Sequence, residues 1–334
     1  MDDLEGAIDE VAAATGFSGV VRVDRDGSPD VARAYGLAHR GCSVDNVVDT
    51  RFGIASGTKG LTALAVASLI EDGLLDLETT ARAVLGEDLP MIDDEVTVEH
   101  LLAHRSGIGD YFDEDVVESM TDYVLPVPVH QLVTTSDYLA VLDGHHQAFA
   151  PGERFAYNNG GFVVLALIAE RVSGTPFAEL VTMRVCEPAG MRDTDFLRSD
   201  EPTAQIALGY LDGAGLRTNV LHLPVRGSGD GGIATTAADV SALWSALYAG
   251  RIVPQERVAE MVRPRSDVPS ESARYGLGFW LRPTGDAVVL VGSDAGVSFQ
   301  SVHDEAIGLT YTVLSNTTDG AWPVVRRLRD LLGS

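Results

Sequence analysis

Two residues one helical turn apart carry the clearest chemical signal in this chain. They are Ser56 and Lys59, in the stretch Phe52-Gly53-Ile54-Ala55-Ser56-Gly57-Thr58-Lys59-Gly60-Leu61. Lys59 is the only lysine, and the other side chains counted as Lys or Arg are all arginine. A GC-rich codon bias or adaptation to salt accounts for scarce lysine, but not for the one that persists. Arginine serves as well in surface ion pairs, yet it does not release its proton in a protein. A lone lysine therefore marks a position that needs a deprotonatable amine. Residues three apart share a helix face. A serine at the helix N-terminus sits at the positive end of the macrodipole, which favours an alkoxide. A lysine removed from water loses proton affinity and becomes a base. The bland alternative is an N-cap serine beside a solvated lysine.

A second constellation is Tyr157-Asn158-Asn159, preceded by Pro151-Gly152 and followed by the apolar run Gly160-Gly161-Phe162-Val163-Val164-Leu165. A Tyr-x-Asn turn can put a phenol and an amide on one side of a cleft, and a phenol near cations can ionise and shuttle protons. Taken alone, it reads as a turn with a partly buried tyrosine. Other signals are weaker. His100 and His104 stand at i and i+4, a spacing that can hold zinc, but no Glu follows His100, so packing and helix-end hydrogen bonds are the expected roles and no metal or cofactor is expected. His145-His146 is less specific still. No Gly-x-Ser-x-Gly elbow surrounds Ser56, which argues against an α/β-hydrolase. Gly227-Ser228-Gly229-Asp230-Gly231-Gly232 lacks the Lys-Ser/Thr of a phosphate loop and reads as a flexible loop near the cleft. The acidic stretch 110–122, with Tyr111 and Phe112, reads either as a solvated loop or as a cleft lip with an aromatic wall.

The elements that must position these groups follow from periodicity. Leu4, Ile8, Val11 and Ala12 predict an opening helix. Residues 19–23 and 31–35 predict a hairpin turning at 24–27. Strands are expected at 275–281, 287–292, 297–303 and 307–316, before a closing helix over 324–332. Between these ends the pattern is helical: 58–74, 99–103, 160–172, 176–185 and 237–249, the last with a start signal in Thr235-Thr236. Strands at both ends with helices between predict an α+β fold. Its antiparallel sheet is completed by both termini (1–55 and 270–334), and a mostly helical region (56–269) is inserted, with the active-site cleft between the two.

At 334 residues, with 45% hydrophobic and 22% charged side chains, the chain suits one large two-part domain and excludes disorder and a disulfide scaffold. Its net charge of −25 repels nucleic acid and anionic membrane, so neither is an expected partner. The longest apolar run, 162–169, is too short to span a bilayer, and the acidic start lacks a signal core. Cys42 and Cys186 read as free thiols, and the expected location is a reducing cytoplasm. Nothing in the sequence sets the oligomeric state.

Together these motifs resemble the penicillin-recognising serine hydrolases: class C β-lactamases, serine DD-peptidases, D-aminopeptidases and family VIII carboxylesterases. The resemblance runs over nearly the whole chain. It includes Gly73-Leu74-Leu75-Asp76-Leu77, the stretch from Val96 to Gly107 with Leu101-Leu102-Ala103-His104-Arg105-Ser106-Gly107, Gly231-Gly232-Ile233-Ala234-Thr235-Thr236, and Tyr275-Gly276-Leu277-Gly278. It implies a β-lactamase/transpeptidase-like fold and a small-molecule acyl substrate. It also implies an acyl-enzyme on Ser56, acid–base work shared by Lys59 and Tyr157, and Asn159 holding Lys59 or the substrate. The implied oxyanion hole is the Ser56 N–H plus an N–H of the 295–296 region, with Gly296 the expected donor. The family's third motif, usually Lys-Thr-Gly or His-Thr-Gly, is replaced here by Ser293-Asp294-Ala295 in one register or Asp294-Ala295-Gly296 in the other. Either way the cation is absent, and Asp294 would repel a substrate carboxylate. The implied activity is therefore an esterase on neutral or cationic substrates. The alternatives are a β-lactamase or D-amino-acid peptidase/amidase, an acyltransferase, and a non-catalytic sensor.

Overall fold

The computed structural model describes residues 2–114, 117, 119–201 and 203–333. An eight-stranded antiparallel sheet is built from β1 (Gly19–Arg25), β2 (Ser28–Tyr35), β3 (Ser266–Val268), β4 (Ala273–Tyr275), β5 (Trp280–Leu281), β6 (Val288–Asp294), β7 (Val297–Asp304) and β8 (Leu309–Ser315). Its order is β2-β1-β8-β7-β6-β5-β4-β3, so the first hairpin joins the last strand. Gly19 pairs with Ser315 and Arg25 with Leu309. The helices that matter for the site are α1 (Asp2–Thr15), α2 (Thr58–Glu71), α3 (Val98–Leu102), α4 (Asn159–Ser173), α5 (Ala237–Tyr248) and α6 (Ala321–Leu332).

Strand side chains alternate between two cores, as the pleat requires. Val21, Val23, Val289, Val302, Tyr311 and Val313 face α1 and α6, where Ile8, Ala12, Val324 and Leu328 cover them. Val20, Val288, Leu290, Phe299 and Leu314 face the helical region and pack with α2, α4 and α5. Both sheet faces are covered, so β1 and β8 are buried along nearly their whole length and need not alternate in polarity. Trp244 of α5 is anchored on the sheet by its indole N–H, which donates to Ser301 Oγ at 2.9 Å. Cys42 is exposed and Cys186 buried, and both are free. Among the described residues no single helix is long and apolar enough to cross a membrane.

Several boundaries differ from the periodicity. The expected strand 275–281 is broken: the Gly276 N–H donates to the Phe279 carbonyl, Gly278 has φ +84°, and its N–H donates to the Leu102 carbonyl. This turn bends the chain onto α2, where a Cβ on Gly278 would stand 2.2 Å from Ala63 Cβ. β1 continues to Arg25, leaving the turn to Asp26 and Gly27, and β8 starts at Leu309 because Glu305–Ile307 forms a 3-10 turn. The nucleophile helix stops at Glu71, before Gly73 at φ +71°. The helix expected over 176–185 is α-helical only over Phe177–Val181 and widens into a π-turn at Thr182–Cys186. The sheet begins at Ser266, four residues before the expected boundary.

The contact between β6 and the turn that carries Ser56 admits no side chain at Gly292. A Cβ there would lie 2.1 Å from the Ile54 carbonyl and 2.8 Å from the Ser56 nitrogen. Gly292→Ala should therefore lower stability by about 1–3 kcal/mol through overpacking against backbone and suppress the reaction of Ser56. Denaturant unfolding together with active-site phosphonylation checks both effects.

Candidate active site

Ser56 enters the cleft from a single 3-10 turn, Ala55–Gly57, immediately before α2. Ala55 holds φ +43°, a sparsely populated conformation for a residue with a Cβ, and it is buried. Gly57 is the N-cap of α2 and offers no side-chain cap, so Ser56 Oγ is not spent on the helix end. Lys59 Nζ lies 2.8 Å from Ser56 Oγ. Lys59 is 2% exposed, which excludes the solvated lysine of the bland reading. Its Nζ also donates to Asn159 Oδ1 at 2.7 Å and to the Asp230 carbonyl at 3.0 Å.

Asn159 is the first residue of α4. Asp110 accepts its N–H at 2.6 Å and that of Gly160 at 2.9 Å, while Asn158 Oδ1 accepts from Gly161 at 2.6 Å. Asn159 Nδ2 donates to the Phe112 carbonyl at 2.9 Å and to Glu114 Oε1 at 3.1 Å, which turns its Oδ1 towards Lys59. Tyr157 is hydrogen-bonded to Ser56. Its ring lies between His104, 4.4 Å away, and Trp280, stacked at 6.0 Å, with Lys59 Nζ 4.9 Å from its centroid.

Ser56, Lys59, Tyr157 and Asn159 thus meet at one point. Ser293, Asp294 and Gly296 line the same cleft, together with Tyr111, Phe112, Glu114 and Asp230. Asp294 ends β6, and Ala295-Gly296 forms the two-residue turn into β7, with Gly296 at φ +70°. Both N–H groups of the 295–296 region, from which one oxyanion donor is expected, are already engaged. The Gly296 N–H donates to Thr318 Oγ1 at 2.9 Å, and the Ala295 N–H donates to Asp294 Oδ1 at 2.7 Å. The expected oxyanion role of Gly296 thus meets a donor that already has a partner.

Asp230 was not singled out by the sequence, because it acts through its carbonyl and its carboxylate is held by the Tyr111 hydroxyl. The glycines around it are not a loose loop. A Cβ on Gly229 would stand 2.0 Å from the Phe162 carbonyl, and Thr62 Oγ1 donates to the Gly229 carbonyl at 2.6 Å. They permit close backbone approach to α2 and α4. In the acidic stretch 110–122, Asp110 caps α4 and Tyr111 and Phe112 wall the cleft. Asp115, Val116 and Glu118 lie outside the described residues. His100 serves a capping box, its Nδ1 accepting the Thr97 N–H at 3.3 Å.

Burial dominates the electrostatics. Desolvation lowers the Lys59 pKa below its ordinary value, against the opposing pull of Asp230, Glu114, Asp110 and Asp294. Tyr157 moves well above its ordinary value, first by burial and then by the Glu114 charge. It therefore stays a phenol, contrary to a tyrosinate made by neighbouring cations. Asp110 and Asp294 are each pushed up to about 7 by burial.

The scan against family models matches residues 4–333 to the beta-lactamase model. The chain belongs to the beta-lactamase family. Within it, this beta-lactamase-family chain is 30% identical to esterase EstB of Burkholderia gladioli, over 98% of this chain and 93% of EstB. It is 27% identical to the putative penicillin-binding protein PbpX of Bacillus subtilis, over 80% of this chain but only 63% of PbpX. Among solved structures, a penicillin-binding protein from Bacillus halodurans superposes with a TM-score of 0.91 at 33% identity, covering 97% of this chain and 99% of that one. The fold is β-lactamase/transpeptidase-like.

The raised carboxyl pKa of Asp294 has a consequence for stability. Unfolded aspartate titrates near about 3.9, whereas Asp294 in the folded chain holds its proton to about 7. Between those values the folded state binds more protons, so this group's contribution falls as pH rises and is least favourable above 7. Asp294→Asn should therefore melt higher than wild type at about pH 8, with the difference closing towards about pH 4. Thermal melts of both proteins across that range are the check.

Proposed function

We propose that this protein is a serine hydrolase that forms an acyl-enzyme on Ser56 and acts as an esterase on neutral or cationic ester and amide substrates. The observation that carries the reading is the set of three oxygens around Lys59 Nζ. The Asn159 amide oxygen and the Asp230 carbonyl can only accept, so each takes one N–H. An ammonium donates to all three, including Ser56 Oγ at 2.8 Å; loss of one proton leaves a lone pair aimed at the Ser56 hydroxyl, so the same contact lets the amine take the Ser56 proton. Burial lowers the Lys59 pKa, in the direction that a base requires.

In this reading the Ser56 proton passes to Lys59 as Oγ bonds the substrate carbonyl carbon. The Tyr157 phenol then donates to the departing oxygen or nitrogen and is reprotonated by the Lys59 ammonium. Water, deprotonated by the same pair, cleaves the acyl bond and restores Ser56. The high pKa of Tyr157 supports a donor role, which leaves the base role to Lys59.

The cleft charges support the substrate preference. Glu114, Asp230, Ser293 and Asp294 line it, and in either register the third motif, Ser293-Asp294-Ala295 or Asp294-Ala295-Gly296, lacks the cation that the family resemblance implies. The side chain of Asp294 lies on the same face of β6 as Gly292, whose position abuts the Ser56 nitrogen. Once Asp294 is ionised, above about pH 7, a substrate carboxylate there would meet like charge, whereas an ammonium would not. EstB is named an esterase and another relative, at 27% identity over 81% of this chain, a D-aminopeptidase, and both names suit this preference.

Initial rates on a short-chain p-nitrophenyl ester and a chromogenic cephalosporin test the reading. Wild type should turn over the ester with little cephalosporin cleavage, and Ser56→Ala should abolish turnover. Lys59→Arg should be nearly as damaging as Lys59→Ala, because arginine does not act as a base. Rapid cephalosporin turnover would favour the β-lactamase alternative, and an acyl burst without turnover would favour a sensor. As a separate expectation, kcat should rise with pH to a plateau whose midpoint lies below the ordinary lysine value, and a pH–rate profile checks it.

A further inference from the structure

We propose that His104 is the positioning residue that sets Tyr157 against Ser56 and Lys59, through two hydrogen bonds that bracket Tyr157, one accepted by its backbone carbonyl and one by its neutral imidazole. This inference rests on the reading of Ser56 as the nucleophile. His104 follows α3 and is 1% exposed. Its carbonyl accepts the Ala156 N–H at 2.9 Å, and its Nδ1 accepts the Asn158 N–H at 3.1 Å. The residue between those two donors is Tyr157, whose ring packs on the imidazole with centroids 4.4 Å apart. Asn158 in turn caps α4 through Gly161 and donates to the Ile108 carbonyl at 2.8 Å, so the same clamp fixes the helix end that presents Asn159 to Lys59.

Packing alone does not account for a histidine here. The pocket around the ring is aromatic, formed by Phe155, Tyr157, Phe162 and Tyr275, and a phenylalanine would fill it. The imidazole brings a cost that an apolar ring would avoid. Because Nδ1 accepts, the proton sits on Nε2, and that buried N–H has no hydrogen-bond partner among the described residues. The backbone is held at φ +53°, where side chains are rare and a histidine is tolerated better than a bulky apolar ring. What the imidazole supplies in return is an acceptor for the otherwise buried Asn158 N–H. Burial keeps the ring neutral, as that acceptor role requires.

Three substitutions separate these contributions. His104→Asn keeps an acceptor near Nδ1 and tolerates the left-handed backbone. His104→Gly tolerates that backbone but has no acceptor. His104→Phe keeps the ring and loses the acceptor. kcat and KM are measured on a p-nitrophenyl ester, and the rate of Ser56 phosphonylation by a fluorophosphonate is followed by mass spectrometry. Thermal melts report folding.

The Gly and Phe variants should lose kcat and phosphonylation rate by roughly 10–100-fold, with KM within about twofold of wild type and His104→Asn recovering most of the loss. An Asn variant that is no better than Gly, or that fails to fold, overturns the positioning role. So do losses confined to KM, or three variants with wild-type kcat. A wild-type Ser56 that neither turns over ester nor takes the phosphonate overturns the nucleophile reading instead, and the positioning role with it.

Discussion

The structure depends on keeping one amine out of water. Lys59 is enclosed by α2, α4 and the loop at Asp230, and each of its neighbouring oxygens is delivered by a different part of the chain. Removing an ammonium from water is costly, and a buried lysine answers by holding its proton less tightly. Asp230, Glu114, Asp110 and Asp294 pull the other way, and burial still outweighs them. Much of the surrounding architecture serves that enclosure. Gly229 lets a backbone carbonyl reach α2, Asp110 secures the start of α4, and Gly292 lets β6 touch the nucleophile turn.

Where the information was local, the residues were readable in the sequence. Ser56 and Lys59 sit one helical turn apart, so spacing alone brings them together, and the lone lysine announces a special environment. Tyr157 and Asn159 were legible only through the family resemblance, since their turn alone reads as one with a partly buried tyrosine. The sheet completed by both ends was legible because the strand and helix periods differ. What was hidden is tertiary. Asp230 contributes a carbonyl, which every residue possesses, so no side-chain pattern marks it. The ionisation of Tyr157 depends first on its burial and then on the carboxylates that fold around it, and Glu114 and Asp230 come from distant segments. The break after Tyr275 was masked because Gly276-Leu277-Gly278-Phe279 keeps an apolar character while its glycines reverse the chain.

The third-motif region illustrates a further limit. The missing cation is visible in the sequence, but the fate of the backbone donors is not. Thr318 lies beyond β8, and only the folded sheet brings its hydroxyl to the Gly296 N–H. A motif written in side chains does not report which main-chain groups remain available, and an oxyanion hole is made of main-chain groups.

The pairing of the first hairpin with the last strand has a consequence for biosynthesis. The ribosome makes Ser56 and Lys59 well before β6, against which the turn carrying Ser56 rests. β1 must wait longer still for β8. Contacts between segments so far apart close slowly and leave one edge of β1 unpaired meanwhile. Until the Asp230 loop and β6 have been made, the enclosure of Lys59 is incomplete. The topology that assembles the cleft therefore also sets when it can form.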